Sequence, residues 1–363
     1  MLSIETDVNK FLNSIELAAI GQPLAAIGKV LKTDVGGEVA RATIELSIPF
    51  ATQLQEVRAQ IAADLCAETG AMLAEIEILT KIASHAVQGS LKPIPGIKNI
   101  IAIASGKGGV GKSTVAVNVA LALSAEGASV GMLDADIYGP SQPNMLGIEG
   151  QQPVSEDGKT MLPLYGHGLQ VMSIGFLVSQ DQPMVWRGPM VTSALNQLMH
   201  QTKWEELDYL IVDMPPGTGD IQLTLSQKVP VSGAVIVTTP QNIATLDARK
   251  GLAMFRKVSI PVLGVVENMS THVCSACGHE EAIFGSGGAD GIVADFDVPL
   301  LGQLPLVASI REQTDSGIPT VRADPKSATA LAYRDTAIRI AVAQAAQKTD
   351  YSSKFGSIVV EDT

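Results

Sequence analysis

Residues 106–114 read Gly106-Lys107-Gly108-Gly109-Val110-Gly111-Lys112-Ser113-Thr114, and the first eight fit the spacing G-x-x-x-x-G-K-[S/T]. Four glycines in the six positions 106–111 let backbone N–H groups turn inward around a polyanion. A helix beginning at the end of such a loop adds the partial positive charge of its N-terminus. Lys112 is placed to reach the outer phosphates of a nucleotide, and Ser113 to ligate Mg²⁺ through its hydroxyl. Both flanks agree. IIAIAS at 100–105 is short and apolar, as a strand buried on both faces is, and KSTVAVNVALALSAEG at 112–127 has helical spacing.

Outward from the loop the same alternation repeats. ASVGMLD (128–134), YLIVDMP (209–215), GAVIVTTP (233–240) and VLGVVEN (262–268) read as parallel strands. GPMVTSALNQLMHQ (188–201), DIQLTLSQKV (220–229) and ATLDARKGLAMFRKV (244–258) read as helices. This order predicts an α/β fold with a doubly wound, mostly parallel sheet, and ligands at the carboxyl ends of its strands. Two strands end on acids. Asp213 closes one and is the candidate to hold Mg²⁺ directly or through water, and Asp134, ending LDAD (133–136) with Asp136, belongs to the metal's outer shell. Gly217 and Gly219 follow Pro215 and Pro216 in a loop able to move when a γ-phosphate is lost.

Residues 1–90 predict a separate small α+β unit. LSIETDVNKFLNSIEL (2–17) and QLQEVRAQIAADLCAETG (53–70) read as helices, VARATIELSIPF (39–50) and AEIEILTKI (74–82) as strands. A linker follows at 91–98, within AVQGSLKPIPGIKN. The nucleotide domain then spans 99–348, with a flexible tail at 349–363. No internal repeat is present.

Composition excludes several classes. The chain has 363 residues, 25 Lys+Arg against 37 Asp+Glu, and a net charge of −12, which argues against a phosphate-backbone binder. Aromatic residues are 4%, too few for single-strand stacking platforms. MLSIETDVNKFLNSIEL has no signal-peptide pattern and no apolar run is long enough to span a bilayer, so no nucleic acid, no membrane and a cytoplasmic location are expected. Three cysteines make no disulfide framework. Cys66 lies on an amphipathic helix and reads as a buried core thiol. Cys274-Ser275-Ala276-Cys277-Gly278 has C-x-x-C spacing, but zinc or an iron–sulfur cluster normally takes four protein ligands. Either His272 and His279 complete a zinc site within one chain, although His279 is only two residues from Cys277, or two chains each supply a cysteine pair.

Lys107 is a second lysine that an ordinary phosphate loop does not require. With it, GKGGVGKST resembles the deviant Walker A motif of the MinD/ParA/nitrogenase-iron-protein class. That resemblance implies an ATP-dependent homodimer, with Lys107 reaching nucleotide on the other subunit, Asp136 positioning the attacking water, and Asn268 contacting adenine. Further motifs follow in order: LDADIYGPS, VWRGPMV, DYLIVDMPPGTGD, TTPQ, ENMS before the C-x-x-C, IFGSGG, LGQLPL and DSGIP. Over about residues 98–320 the chain resembles the Mrp/ApbC family of iron–sulfur cluster carrier ATPases. Residues 1–90 are similar, more loosely, to a small domain common in iron–sulfur assembly factors.

The resemblance implies slow Mg²⁺-dependent ATP hydrolysis and a labile [4Fe–4S] cluster bridging two subunits through Cys274 and Cys277 of each. It implies delivery to apo iron–sulfur proteins and exchange with cluster-assembly factors. Arg187 is a candidate for contact with the partner subunit or nucleotide, or for a structural hinge. SIPFATQL (47–54) lacks the cysteine often found there in relatives, so the small unit is expected to dock proteins rather than handle clusters. Two alternatives compete. A MinD/ParA-like positioning ATPase would need a basic amphipathic C-terminal helix or a basic face, and SATALAYRDTAIRIAVAQAAQK (327–348) is alanine-rich instead. A zinc-binding interaction protein would use the cysteine pair with histidine.

Overall fold

The computed structural model describes residues 2–89, 91–177, 188–274 and 276–350; Trp186, Arg187 and tail residues 351–363 lie outside them. In the small unit, β1 (Gly28–Gly36), β2 (Val39–Leu46) and β3 (Leu73–Thr80) form a sheet in that order. β2 buries Ala40, Ala42, Ile44 and Leu46 on one face, as its alternation requires. It pairs antiparallel with β1 and parallel with β3. Helix α1 (Leu2–Ser14) precedes this sheet, and α2 (Leu54–Thr69) makes the crossover between β2 and β3. α2 stops where Gly70 turns left-handed, its N–H bonding the Cys66 carbonyl. Cys66 itself is a half-buried free thiol rather than a core one. Strand β1 has no counterpart in the sequence reading, for its pattern is broken by a register shift between Val30 and Lys32.

The large unit contains β4 (Ile97–Ala104), β5 (Val130–Asp134), β6 (Leu164–Gly166), β7 (Leu169–Ser173), β8 (Leu207–Asp213), β9 (Gly233–Thr238), β10 (Val262–Val273), β11 (Glu280–Glu281) and β12 (Leu300–Leu306). They make one nine-stranded sheet in the order β11-β10-β9-β4-β8-β5-β7-β6, with β12 also paired to β10. All pairs are parallel except β6–β7 and β10–β11. Ile101, Ile103, Ile211, Val212, Val235 and Val237 are wholly buried, because helices cover both faces.

Two pairings set the site. Asp213 lies opposite both Ile103 of β4 and Asp134 of β5, so the two acids end neighbouring strands at one level. Helix α3 (Lys112–Ala125) is buried nearly all round, packed between the sheet and the C-terminal helix Ala328–Ala345.

The two units are tied together by one buried acid. Glu126, at the C-terminal end of α3, accepts the Thr52 N–H at 2.9 Å and the Thr52 hydroxyl, and its carbonyl accepts the Ala51 N–H at 3.1 Å. Arg334 neutralises it at 2.8 Å. The chain between the units is packed as well. Gln88 donates to the carbonyls of Ser226 and Val229 at 2.7 and 2.6 Å, and His85 bonds Asn99 at 2.7 Å. Thr349 forms an antiparallel bridge with His85, and Asp350 donates to the Ser84 carbonyl at 2.9 Å, so the first two residues read as tail are paired.

Candidate nucleotide and cysteine sites

The loop 106–111 follows β4, and its glycines are required for different reasons. A Cβ on Gly106 would lie 2.1 Å from the Asp247 carbonyl carbon, so only glycine lets the loop pack against that backbone. Gly109 and Gly111 adopt φ of 83° and 78°, a left-handed conformation that a side chain disfavours. Gly111 caps α3 without offering any side chain to the first helical N–H groups, which leaves them to an anion. Gly108 approaches Pro216, and Gly217 donates to the Ser105 carbonyl at 3.0 Å, so the loop after Asp213 lies against the phosphate loop.

Below the loop, three acids meet one lysine. Lys112 is buried and its Nζ is paired with Asp213 Oδ1, 3.2 Å from Ser113 Oγ and 3.8 Å from Asp136 Oδ2. Asp134 is wholly buried and accepts from the Asp136 N–H (3.2 Å), the Gln142 N–H (3.1 Å) and the Ser173 hydroxyl (3.1 Å). Burial, and then the charge of Asp213, push its pKa up to about 7. Burial raises Asp136 as well, against the opposing charge of Lys112.

The donor set suits Mg²⁺. Ser113, Asp134, Asp136 and Asp213 offer only oxygen, and their negative charge exceeds what Lys112 neutralises. Among the described residues no three His, Cys, Asp or Glu side chains converge as a metal cage. Mg²⁺ needs no such cage, since it binds through one or two carboxylates together with substrate phosphates and waters.

Lys107 is half-buried and makes no ion pair among the described residues. Asn268 is buried beneath the loop, where its Nδ2 donates to the Val110 carbonyl at 2.9 Å. The structure thus places it as a brace of the loop backbone, inside β10 rather than at the strand end that the sequence suggested. Gln142, absent from the sequence candidates, touches three of them, because its short helical turn folds back over Ser113, Asp134 and Asp213.

The cysteine pair lies further along the strand that carries Asn268. β10 runs on to Val273, and β11 folds back to pair Glu280 and Glu281 with Val273 and His272. In the turn between them, Cys274 donates its N–H to the His279 carbonyl and Gly278 donates to the Cys274 carbonyl, both at 2.9 Å. Cys274 is half-buried and Cys277 exposed, and both are free thiols. The N–H groups of Ala276 and Cys277, with the Cys277 thiol, lower the Cys274 pKa and favour its thiolate. His272 Nδ1 bonds the Leu306 carbonyl at 2.9 Å, and among the described residues neither His272 nor His279 joins the cysteines in a group of three. The single-chain zinc site considered from the sequence is therefore not assembled.

The family model described as ParA, NUBPL iron-transfer P-loop NTPase, matches residues 96–341. The iron-sulfur cluster carrier protein of Escherichia coli (strain K12) is 55% identical over 300 residues, covering 82% of this chain and 81% of its own. That of Haemophilus influenzae is 48% identical over 338 residues, 93% of this chain and 91% of its own. The mouse iron-sulfur cluster transfer protein NUBPL is 54% identical over 244 residues, covering 67% and 76%. A nucleotide-binding protein from Archaeoglobus fulgidus, solved in complex with ADP, superposes with a TM-score of 0.57 at 34% identity, over 65% of this chain and 91% of its own. The cell-division ATPase MinD of Pyrococcus furiosus shares the fold, at a TM-score of 0.52 and 24% identity over 67% of this chain and 98% of its own.

Proposed function

The chain belongs to the ParA/NUBPL family of iron-transfer P-loop NTPases, and from that premise we propose that it is an ATP-hydrolysing iron–sulfur cluster carrier. The observation that carries the reading is the path of β10. One strand joins Asn268, the brace of the phosphate loop, to a turn that presents two free thiols with no third ligand among the described residues.

The nucleotide half of the cycle is an in-line displacement of ADP by water on the γ-phosphorus of ATP. The N–H groups of 106–114 cradle the phosphates, and Lys112 leaves its carboxylate partners for the β- and γ-oxygens. Ser113 and Asp213 would hold Mg²⁺, with Asp134 as an outer partner, and the ion would supply neutralisation of phosphate charge. Asp136 orients the attacking water. Lys107, unpaired in its own chain among the described residues, reaches nucleotide on a second copy, so that the active form is a homodimer. Asn268 serves the nucleotide by fixing Val110, with any adenine contact falling to the remainder of its amide.

The cargo is a labile cluster of the [4Fe–4S] type, held by Cys274 and Cys277 from each of two chains. Two thiolates per chain from an exposed turn make a site that can open, as delivery to apo iron–sulfur proteins or exchange with assembly factors requires. The small unit, 1–90, serves as a docking module for those partners; the linker expected at 91–98 ends earlier, because Ile97 and Lys98 already belong to β4 of the nucleotide domain. A reducing cytoplasm suits three cysteines that are all free; no helix among the described residues is long and apolar enough to cross a membrane.

Anaerobic reconstitution with iron and sulfide tests this function. The wild-type chain is expected to take up one four-iron cluster per two chains, seen by absorption and Mössbauer spectroscopy. The Cys274→Ala, Cys277→Ala double variant is expected to take up none while still binding ADP. Equal uptake by that variant would overturn the assignment of the thiols.

A further inference from the structure

Gln142 is wholly buried at the start of the short turn 142–145, and every hydrogen bond it donates runs to the machinery of the nucleotide site. Its main-chain N–H donates to Asp134 Oδ2 at 3.1 Å. Its side-chain Nε2 donates to Asp213 Oδ2 at 2.9 Å and to the Ser113 carbonyl at 3.1 Å. Both Nε2 partners can only accept, so the amide cannot be turned over without setting oxygen against oxygen. The orientation is therefore fixed, and it leaves Oε1 buried without a hydrogen-bond partner. A buried amide oxygen with no donor costs free energy unless something else occupies its lone pairs.

We propose that Gln142 is a positioning residue of the nucleotide site: it holds the Asp213 and Asp134 carboxylates in place and offers Oε1 to a water on the bound Mg²⁺. The inference rests on the Mg²⁺·nucleotide reading of this site. The chemistry is complementary. A cation polarises its waters into strong donors, and the one orphan acceptor beside Ser113, Asp134 and Asp213 is matched to such a donor. The two N–H bonds meanwhile orient the carboxylates from behind, as outer partners of metal ligands do.

The test compares ADP binding by calorimetry with and without Mg²⁺ in the full chain, for wild type and Gln142→Met, a volume-conserving change. Mg²⁺ is expected to tighten ADP binding by wild type. In Gln142→Met the metal-dependent gain should fall by at least about tenfold, the size of one hydrogen bond to a charged group, while metal-free ADP affinity changes less than about twofold. The Mg²⁺ concentration for half-maximal ATPase should rise by a similar factor. If Gln142→Met does not fold, Gln142→Asn, which keeps the amide but cannot span the same partners, is expected to show the same split. An unchanged Mg²⁺ gain, or an equal loss with and without Mg²⁺, overturns the positioning role. Wild type that binds ADP no better with Mg²⁺ would instead overturn the nucleotide-site reading beneath it.

Discussion

At the scale of single residues, the site is governed by how three buried acids share one lysine. Asp134 has an ordinary carboxyl pKa of 3.8 when unfolded and about 7 when folded. The folded chain therefore holds a proton that the unfolded chain has released between those values, and stability from this group falls as pH rises from about 4 to about 7. Urea unfolding of the nucleotide-free chain is expected to show this decline, and Asp134→Asn to flatten it. The same proton opposes metal. Mg²⁺·ADP binding near pH 6 is expected to release it, giving a calorimetric heat that scales with buffer ionisation enthalpy. Gly106 sets a steric limit: Gly106→Ala drives a Cβ into the Asp247 backbone. It is expected to lower stability by ~1–3 kcal/mol and to abolish detectable ADP binding, read by thermal unfolding with and without ligand.

At the scale of elements, α3 works from both ends. Its N-terminus faces the phosphate loop, and its C-terminal Glu126 holds Thr52 and Arg334. Glu126→Ala strands the Arg334 guanidinium in a largely buried position, and a loss of about 3 kcal/mol is expected from denaturant unfolding. Glu126→Gln retains part of the bonding and should lose less. Amide exchange in Glu126→Gln is expected to rise across 47–54 before it rises across 112–125.

The elements also show what could be read beforehand. The phosphate loop and its flanking strand and helix were legible because their signal is contiguous. Gln142 was not, because its partner Asp213 is 71 residues distant and only the folded turn joins them. Thr52 and Glu126, 74 residues apart, were hidden for the same reason. Strand β1 escaped because a bulge at Val30 to Lys32 breaks the period on which strand reading depends.

For the whole molecule, the proposed function calls on a second copy in two separate ways. Lys107 bears on nucleotide and the cysteine turn on cargo, so the two dependences can be dissected. Lys107→Ala is expected to keep nucleotide binding but lose ATP-induced dimers in sedimentation velocity. The cysteine double variant should still dimerise with ATP. Equal dimerisation by Lys107→Ala and wild type would remove the lysine from the subunit contact.

The bridge between His85 and Thr349 has a topological result. The nucleotide domain's entrance and exit stand side by side, near Asn99 at the amino end of the central strand and across the sheet from Asp213. Its backbone is thus almost a closed ring. A circular permutant that seals this gap and opens the exposed bend at Asp157–Gly158 keeps every strand pairing of the sheet. Tension between the small unit and anything joined after Asp350 meets this clasp at the end of the sheet opposite Asp213.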